Sequence, residues 1–215
     1  QIAHGLVGSE MCIRDSYTLT ASNKPDLAHL SLDIPDRYNI APQADVLVET
    51  DQAEFTVMSW SFSPTWAKTP MNLFNARAET LTEKPSFKGA QRCVFIADGW
   101  YEWQRAASPS RPWYHHSDGE LLRFAGVYEP ASGCAIGTID AQAGIAHIHH
   151  RQPLLLSADA SDEWLNGAPV GDCMTDITVD FHRVSSAVNN AKVDDPRLAH
   201  PLDESIREPE QGALF

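Results

Sequence analysis

The chain has 215 residues, of which 43% are hydrophobic, so it is long enough for one domain around a sizeable core. No apolar run in the sequence reaches the roughly 18 residues that a membrane helix needs. The formal charge of −13 counts against a protein that wraps duplex nucleic acid. The first residues lack the basic and apolar segments of a signal peptide, so we expect a cytoplasmic protein. The four cysteines form no CxxC pair, so we expect reduced thiols and neither a disulfide framework nor a zinc cluster.

The first half of the chain predicts a helix followed mainly by strands. The helix covers residues 24–32, where Pro25 suits the first helical turn. A second helix is expected over residues 76–84. Segments rich in β-branched and aromatic residues predict strands at residues 44–50, 55–62 and 93–103.

The second half adds strands and one further helix. Residues 111–129 predict a hairpin, with two strands around the turn Ser117-Asp118-Gly119. Further strands are predicted at residues 134–140 and 177–186. A helix over residues 157–167 has Ser157 or Asp159 as its N-cap and Gly167 as its end. The sum is an α+β domain, mainly antiparallel β-sheet, forming a closed or half-open barrel with a few flanking helices.

We expect the domain to occupy residues 17–202, between two ends of different character. Residues 1–16 are an atypical segment, in which "GLVGSEMCIRDS" reads like translated sequencing-adapter sequence joined to a truncated gene. Residues 203–215, "DESIREPEQGALF", are acidic and polar and then finish in an apolar pair. This composition predicts a flexible tail with an adhesive tip.

Four strings place polar residues inside an apolar, strand-like context: "NIAP" (39–42), "FNARAET" (74–80), "ADGWYEW" (97–103) and "HIHHRQP" (147–153). Buried polar groups are costly unless they are paired, so these residues either satisfy one another or form a site. Taken singly, each fits a structural role better, such as an Asn bonded to the backbone. The histidines show no spacing that predicts a metal site.

Seven strings in register give the chain a family resemblance. They are "YNIAP", "WSFSPTWAK", "NARAETLTEKPSF", "CVFIADGWYEW", "FAGVYE", "IHHRQP" and "VSSAVNNAKVDDP". In this order they resemble the SOS response-associated peptidase (SRAP) family, the abasic-site DNA–protein crosslinkers, from about Tyr17 to Pro201. The family pattern opens with Met-Cys-Gly-Arg and then Tyr or Phe. Here the Gly is missing and extra residues intervene between Cys12 and Tyr17.

The resemblance implies a chemistry based on an N-terminal cysteine. Its amine would condense with the aldehyde of a ring-opened abasic sugar to give a Schiff base, and its thiol would close a thiazolidine on the same carbon. By resemblance, Cys12 is this residue, Asn75 positions it, Glu102 handles the amine protons and His149 assists ring opening. Glu102 and His149 are expected to perturb each other's pKa. No metal or other cofactor is implied.

The resemblance also implies binding to single-stranded DNA that contains abasic sites. Because the lesion has no base, contacts are expected with phosphates and base faces. Arg77 and Arg151 follow the proposed Asn and His by two residues, and Arg14 is a third expected cation. Pro42 and Trp66 resemble the apolar wedge that props bases apart. We expect a nucleoid-associated monomer of a bacterial cytoplasm, without membrane contact.

The last five residues carry a separate signal. "QGALF" fits the Gln-x-x-Leu-Phe pattern of peptides that dock on the bacterial sliding clamp. Gln211, Leu214 and Phe215 are the pattern residues, and the last two would insert into a hydrophobic pocket. The sequence therefore predicts the clamp as a partner.

Three functions stay open at this level. The first is a protein that crosslinks itself to abasic sites and shields them. The second is a thiol peptidase that uses Cys12, either on other peptides or only on its own leader, with His149 or Glu102 as the base. The third is an adaptor without catalysis that binds DNA and the clamp.

Overall fold

The computed structural model describes residues 15–30, 32–104 and 110–203. Cys12 and Arg14, and the predicted clamp peptide with Gln211, Leu214 and Phe215, lie outside the described residues. The regular elements are, in chain order, β1 (Ser16–Leu19), β2 (Arg37–Ile40), β3 (Asp45–Thr50), β4 (Phe55–Ser59), β5 (Asn75–Arg77), β6 (Gln91–Ala97), β7 (Gly99–Gln104), β8 (Arg111–His116), β9 (Leu122–Glu129), β10 (Gly133–Asp140), β11 (Arg151–Pro153), β12 (Leu155–Leu156), α1 (Ala158–Leu165) and β13 (Asp180–Arg183).

The strands form two sheets, which confirms the predicted sheet-dominated α+β class. One sheet has five strands in the order β13-β8-β7-β1-β2. The other follows the path β11-β10-β9-β6-β3-β4, with β12 beside β9 and β5 beside β10. All of these pairs are antiparallel except β5 with β10. The strand order of both sheets is open among the described residues, so the half-open arrangement is confirmed and the closed barrel is wrong.

The predicted hairpin over residues 111–129 is wrong in its pairing. Both strands exist, as β8 and β9, and the turn contains Asp118 and Gly119 with φ of 37° and 81°. However, β8 pairs with β7 and β13, whereas β9 pairs with β6, β10 and β12. A turn sequence predicts that the chain reverses, but it does not determine which strands become hydrogen-bonded neighbours. Strand pairing depends on which face of each strand is apolar and is buried in the core. The predicted strand at 93–103 likewise divides at Asp98 between the two sheets.

Of the three predicted helices, one is α-helical. Ser157 caps α1 by accepting a hydrogen bond from the backbone N–H of Ala160 at 3.1 Å, and Gly167 follows with φ of 90°. In place of the other two, the described residues have short 3-10 turns, at Ala21–Asn23, Pro25–Leu27 and Ala78–Thr80. The α-helices predicted over residues 24–32 and 76–84 are therefore wrong, because the backbone there closes i→i+3 hydrogen bonds over only three residues at a time. No helix in the described part of the chain is long and apolar enough to cross a bilayer.

The core lies mainly between the two sheets and α1. Its largest buried side chains are aromatic: Trp60, Phe62, Phe95, Phe124 and Trp164. A smaller cluster, with Tyr101, Trp103, Tyr114, Val184, Val188 and Leu198, lies beyond the five-stranded sheet. Because side chains alternate along a strand, β7 gives Tyr101 and Trp103 to this cluster and leaves Trp100 and Glu102 on the other face.

Candidate active site

One cavity of about 280 Å³, here called the Glu102 cavity, collects residues from separate segments of the chain. Asn75 opens β5, Glu102 lies in β7, and His149 lies in the loop before β11. Both β5 and β11 pair with β10, which brings their segments to one sheet. The structure thus brings together the three described residues to which the sequence assigned the chemistry.

Glu102 and His149 form an acid–base pair. Nδ1 of His149 lies 3.3 Å from Oε2 of Glu102, and the two side chains are 13% and 14% exposed. The same nitrogen lies 3.0 Å from the backbone carbonyl oxygen of Arg151. Because both oxygens accept hydrogen bonds, Nδ1 carries a proton, and Nε2 of the neutral ring keeps its lone pair. Nε2 can therefore take up a proton, and Glu102 stabilises the charge that results.

Asn75 lies at the exposed side of the cavity, next to the N-terminal end of the described chain. Its Nδ2 donates to Oδ2 of Asp15 at 3.1 Å, and Asp15 also lines the cavity. The next residue, Ser16, lies opposite Tyr101 in the pairing of β1 with β7. The segment that leads to Cys12 therefore joins the described structure beside Asn75 and one residue from Glu102.

Arg151 is held by a network of carboxylates. Its guanidinium makes two hydrogen bonds of 2.8 Å to Glu79 and one of 2.6 Å to Asp140. The guanidinium lowers the pKa of the Glu79 carboxyl, so the pair stays ionised at neutral pH. The network ties β11 to β10 and to the turn after β5, and the backbone carbonyl of Arg151 orients His149. Glu79 was not anticipated from the sequence, although "NARAET" contains it.

The residues predicted to contact DNA differ in their exposure and in whether their charge is compensated. Arg77 is exposed and lines the Glu102 cavity, whereas the charge of Arg151 is compensated by its two carboxylate partners. Trp66 is 60% exposed, and Pro42 is buried. Neither of the last two lines the cavity. Trp66 is thus available to a base, while Pro42 remains a prediction whose ring is covered.

Other residues of the cavity were not anticipated from the sequence. Tyr17 and Trp100 are buried beneath it, and Gln152 accepts a hydrogen bond from the backbone N–H of Gln142 at 2.7 Å. That bond closes the loop that carries His149. Tyr17 and Trp100 look like core aromatics in the sequence, and only the fold places them at a cavity.

The cysteines that the structure describes are poor candidates for a nucleophile. Cys93, Cys134 and Cys173 are buried and make no disulfide. Burial raises the pKa of each of these thiols, so they stay protonated at neutral pH. Among the described residues, no group of three or more His, Cys, Asp or Glu side chains is placed to hold a metal ion.

Comparison with known proteins identifies the family. The family model described as SOS response associated peptidase (SRAP) matches residues 11–191. The chain belongs to this family. Abasic site processing protein YedK of Escherichia coli is 31% identical over 189 residues, which cover 77% of this chain and 85% of the relative. Abasic site processing protein YoaM of Bacillus subtilis is 32% identical over 184 residues, covering 72% and 80%.

Related proteins extend beyond bacteria and include solved structures. Abasic site processing protein HMCES of Gallus gallus is 30% identical over 225 residues, covering 79% of this chain and 67% of the relative. The crystal structure of a Bacteroides thetaiotaomicron protein has a TM-score of 0.65 at 21% identity, covering 79% of this chain and 87% of that one. That likeness shows that the two chains share a fold.

Proposed function

We propose that this SRAP-family protein processes abasic sites by binding them in single-stranded DNA and linking to them covalently. The observation that carries the proposal is the Glu102–His149 pair, mostly buried in a cavity that the N-terminal end of the described chain also lines. The relatives named abasic site processing proteins support the same general function.

The proposed link forms at an N-terminal cysteine, assigned here to Cys12. Its α-amine attacks the aldehyde carbon of the ring-opened sugar, and loss of water gives a Schiff base. The thiol then adds to the imine carbon while its proton passes to the nitrogen, which closes a thiazolidine ring. Three residues of chain span at most about 11 Å. A cysteine three positions before Asp15 is therefore within reach of the cavity.

The described residues have distinct roles in this scheme. His149 at Nε2 exchanges a proton with the sugar oxygen during ring opening, and Glu102 moves protons on and off the amine. Asn75, which bonds the segment at Asp15, positions the cysteine. Arg77 and Arg14 contact phosphates, while Trp66 contacts a base beside the lesion. Arg151, whose charge two carboxylates compensate, and Pro42, which is buried, are not assigned a contact with DNA.

The tail is proposed to localise this activity. Gln211, Leu214 and Phe215 would dock on the bacterial sliding clamp and hold a monomeric, cytoplasmic protein near the nucleoid, where replication exposes single strands. Deleting residues 211–215 should abolish clamp binding in a pull-down without changing crosslinking in a purified reaction. Loss of both would contradict a separate tail function.

A peptidase activity is the second candidate, because the family description itself names a peptidase. The same cysteine would attack a peptide carbonyl, with His149 or Glu102 as the base. Release of the residues before Cys12 by the protein itself would make the two activities compatible. Mass spectrometry of the mature N-terminus determines whether the amine of Cys12 is free.

The deciding experiment incubates the purified protein with single-stranded DNA that contains one abasic site. We expect an adduct that survives heating in denaturant and that Cys12→Ala abolishes. Turnover of peptides without any adduct would favour the peptidase. An adduct that persists in Cys12→Ala would show that another residue is the nucleophile.

A further inference from the structure

A buried side chain, Gln152, holds the start of the loop that carries His149. This loop spans residues 141–150 and connects β10 to β11. Oε1 of Gln152 accepts a hydrogen bond from the backbone N–H of Gln142 at 2.7 Å, and no backbone carbonyl of the described residues takes that N–H instead. Gln152 is 1% exposed, so its side-chain amide is shielded from solvent.

Gln142 begins a compact turn that ends at His149. The backbone carbonyl of Gln142 accepts hydrogen bonds from the N–H groups of Ile145 and Ala146 at 3.0 and 2.9 Å. The carbonyl of Ile145 then accepts hydrogen bonds from the N–H groups of Ile148 and His149 at 2.9 and 3.4 Å. The position of Gln142 therefore affects the position of His149 through two successive pairs of hydrogen bonds.

The ring of His149 reaches its two partners from the end of this turn. Nδ1 lies 3.0 Å from the carbonyl oxygen of Arg151 and 3.3 Å from Oε2 of Glu102. A shift of the turn by about 1 Å would lengthen these contacts beyond hydrogen-bond distance. Misplacing a reacting group by this amount can slow a reaction by about 10²-fold, so the rate depends on how firmly the turn is held.

The amide of Gln152 is explained by this bond and not by packing. Gln152 lines the Glu102 cavity, and the residues that follow it, Pro153 and Leu154, are buried and apolar. Burying an amide without a partner costs free energy, whereas a Met side chain of similar length would fill the same space without polar atoms. What glutamine adds at this position is the acceptor for Gln142.

We propose that Gln152 is a positioning residue for the proposed reaction: it holds the turn at Gln142 and so keeps His149 against Glu102. Gln152 transfers no proton itself, because its amide is neutral and acts here as a hydrogen-bond acceptor. It acts through the placement of the imidazole, as an outer residue that orients a reacting group. This inference rests on the proposed function and adds a residue that sets its rate.

The test measures single-turnover adduct formation with saturating single-stranded DNA that contains one abasic site. Gln152→Met keeps the length of the side chain and removes the acceptor, so the rate constant should fall about 10- to 10²-fold. Affinity for the same oligonucleotide with a tetrahydrofuran residue, which cannot crosslink, should stay unchanged in fluorescence anisotropy. Gln91→Met is the matched control, because the Gln91 amide bonds Asp51 at 3.4 Å outside the cavity, and it should change neither quantity.

A second background separates positioning from a general structural role. In His149→Ala there is no imidazole to place, so adding Gln152→Met should slow the reaction by less than about a further twofold. A general weakening of the fold would instead slow both backgrounds by the same factor. Slow rates remain measurable, because the adduct accumulates over time.

Hydrogen exchange in the wild-type protein supplies a measurement that does not depend on a variant. The Gln142 amide lies in a loop, yet it should exchange as slowly as the amides of the paired strands, because its N–H is bonded to a buried acceptor. In Gln152→Met the same amide should exchange faster, while the amides of β6 keep their protection.

The remaining outcomes each decide against a specific claim. An unchanged rate in Gln152→Met, an equal loss in the His149→Ala background, a loss of affinity that accounts for the slower rate, or fast exchange of the wild-type Gln142 amide overturns the inference and leaves the proposed function standing. A wild-type protein that forms no adduct overturns the proposed function and the inference with it.

Discussion

Two cavities of similar size adjoin the five-stranded sheet, and their polar groups behave differently. The second, here called the histidine cavity, has about 330 Å³ and is lined by His116, His182 and His200. Several of its polar groups have hydrogen-bond partners. Thr18 Oγ1 lies 2.7 Å from the Tyr114 hydroxyl, Thr20 Oγ1 donates to Asp98 at 2.6 Å, and Nε2 of His182 lies 2.9 Å from the Ala199 carbonyl oxygen.

The Glu102 cavity contains an acid–base pair, whereas several polar groups of the histidine cavity are hydrogen-bonded to one another or to the backbone. Strand alternation produces the contrast, since β1 and β8 give Thr18 and Tyr114 to the histidine cavity while Tyr17 lines the other. Titratable residues around a cavity are therefore not enough to indicate a site. What distinguishes this site is the close contact of two groups that can exchange protons, Glu102 and His149.

The largest expected effect is on the chemistry itself. Glu102→Gln keeps a hydrogen-bond acceptor near His149 but cannot exchange protons, so crosslinking should slow by about 10²- to 10⁴-fold. Single-turnover adduct formation measures this. Asp98→Asn makes the same carboxylate-to-amide change at the histidine cavity and should leave the rate unchanged. An equal loss in Asp98→Asn would break the contrast between the two cavities.

A second effect concerns His115, which lies in β8 and stacks on Trp100 with ring centroids 4.7 Å apart. Burial lowers its pKa from 6.5 to about 3. As the pH falls below 6.5, the unfolded chain binds a proton that the folded state does not bind until the pH is much lower, so the free energy of unfolding decreases with falling pH.

Urea denaturation at pH 7, 6 and 5 tests this dependence. His115→Phe keeps an aromatic ring against Trp100 and should remove this contribution to the slope. His147→Gln changes an exposed histidine and should retain the slope. If the slope survived in His115→Phe, the acid sensitivity would originate elsewhere.

The third effect is on DNA affinity. Trp66→Ala removes an exposed ring and should weaken binding to single-stranded DNA by about tenfold or more, with or without a lesion, because base stacking does not depend on the abasic sugar. Titration by anisotropy measures it. His200→Ala at the histidine cavity should have no effect. Comparable losses in the two variants would mean that DNA also crosses the histidine cavity.

The smallest effect is an energetic coupling. Glu79→Gln and Arg151→Gln, combined in a double-mutant cycle, should couple by about 1 kcal/mol in crosslinking rate, because one network orients His149. The ion pair of Lys24 with Asp98, 3.3 Å apart, offers a matched cycle that should couple in stability alone. Additive effects of Glu79 and Arg151 would show that Arg151 acts without its partner.

The sequence predicted strands well because β-branched and aromatic runs depend on local composition. It failed on the partners of β8 and β9, since pairing is set by which face each strand buries. The same limit applies to the site. Asn75, Glu102 and His149 were found through motifs, whereas Tyr17 and Trp100 resemble core residues until the fold places them beside a cavity. Glu79 was missed because its partner Arg151 is 72 positions away.

Strand β5, with only three residues, positions two of the side chains that line the Glu102 cavity. Its three residues read exposed, buried, exposed, so Asn75 and Arg77 share one side while Ala76 faces the core. A side chain can be exchanged in such a strand without moving its neighbours, but adding or removing one residue would turn the amide and the guanidinium inward. In natural relatives this stretch should therefore accept substitutions before it accepts any change of length.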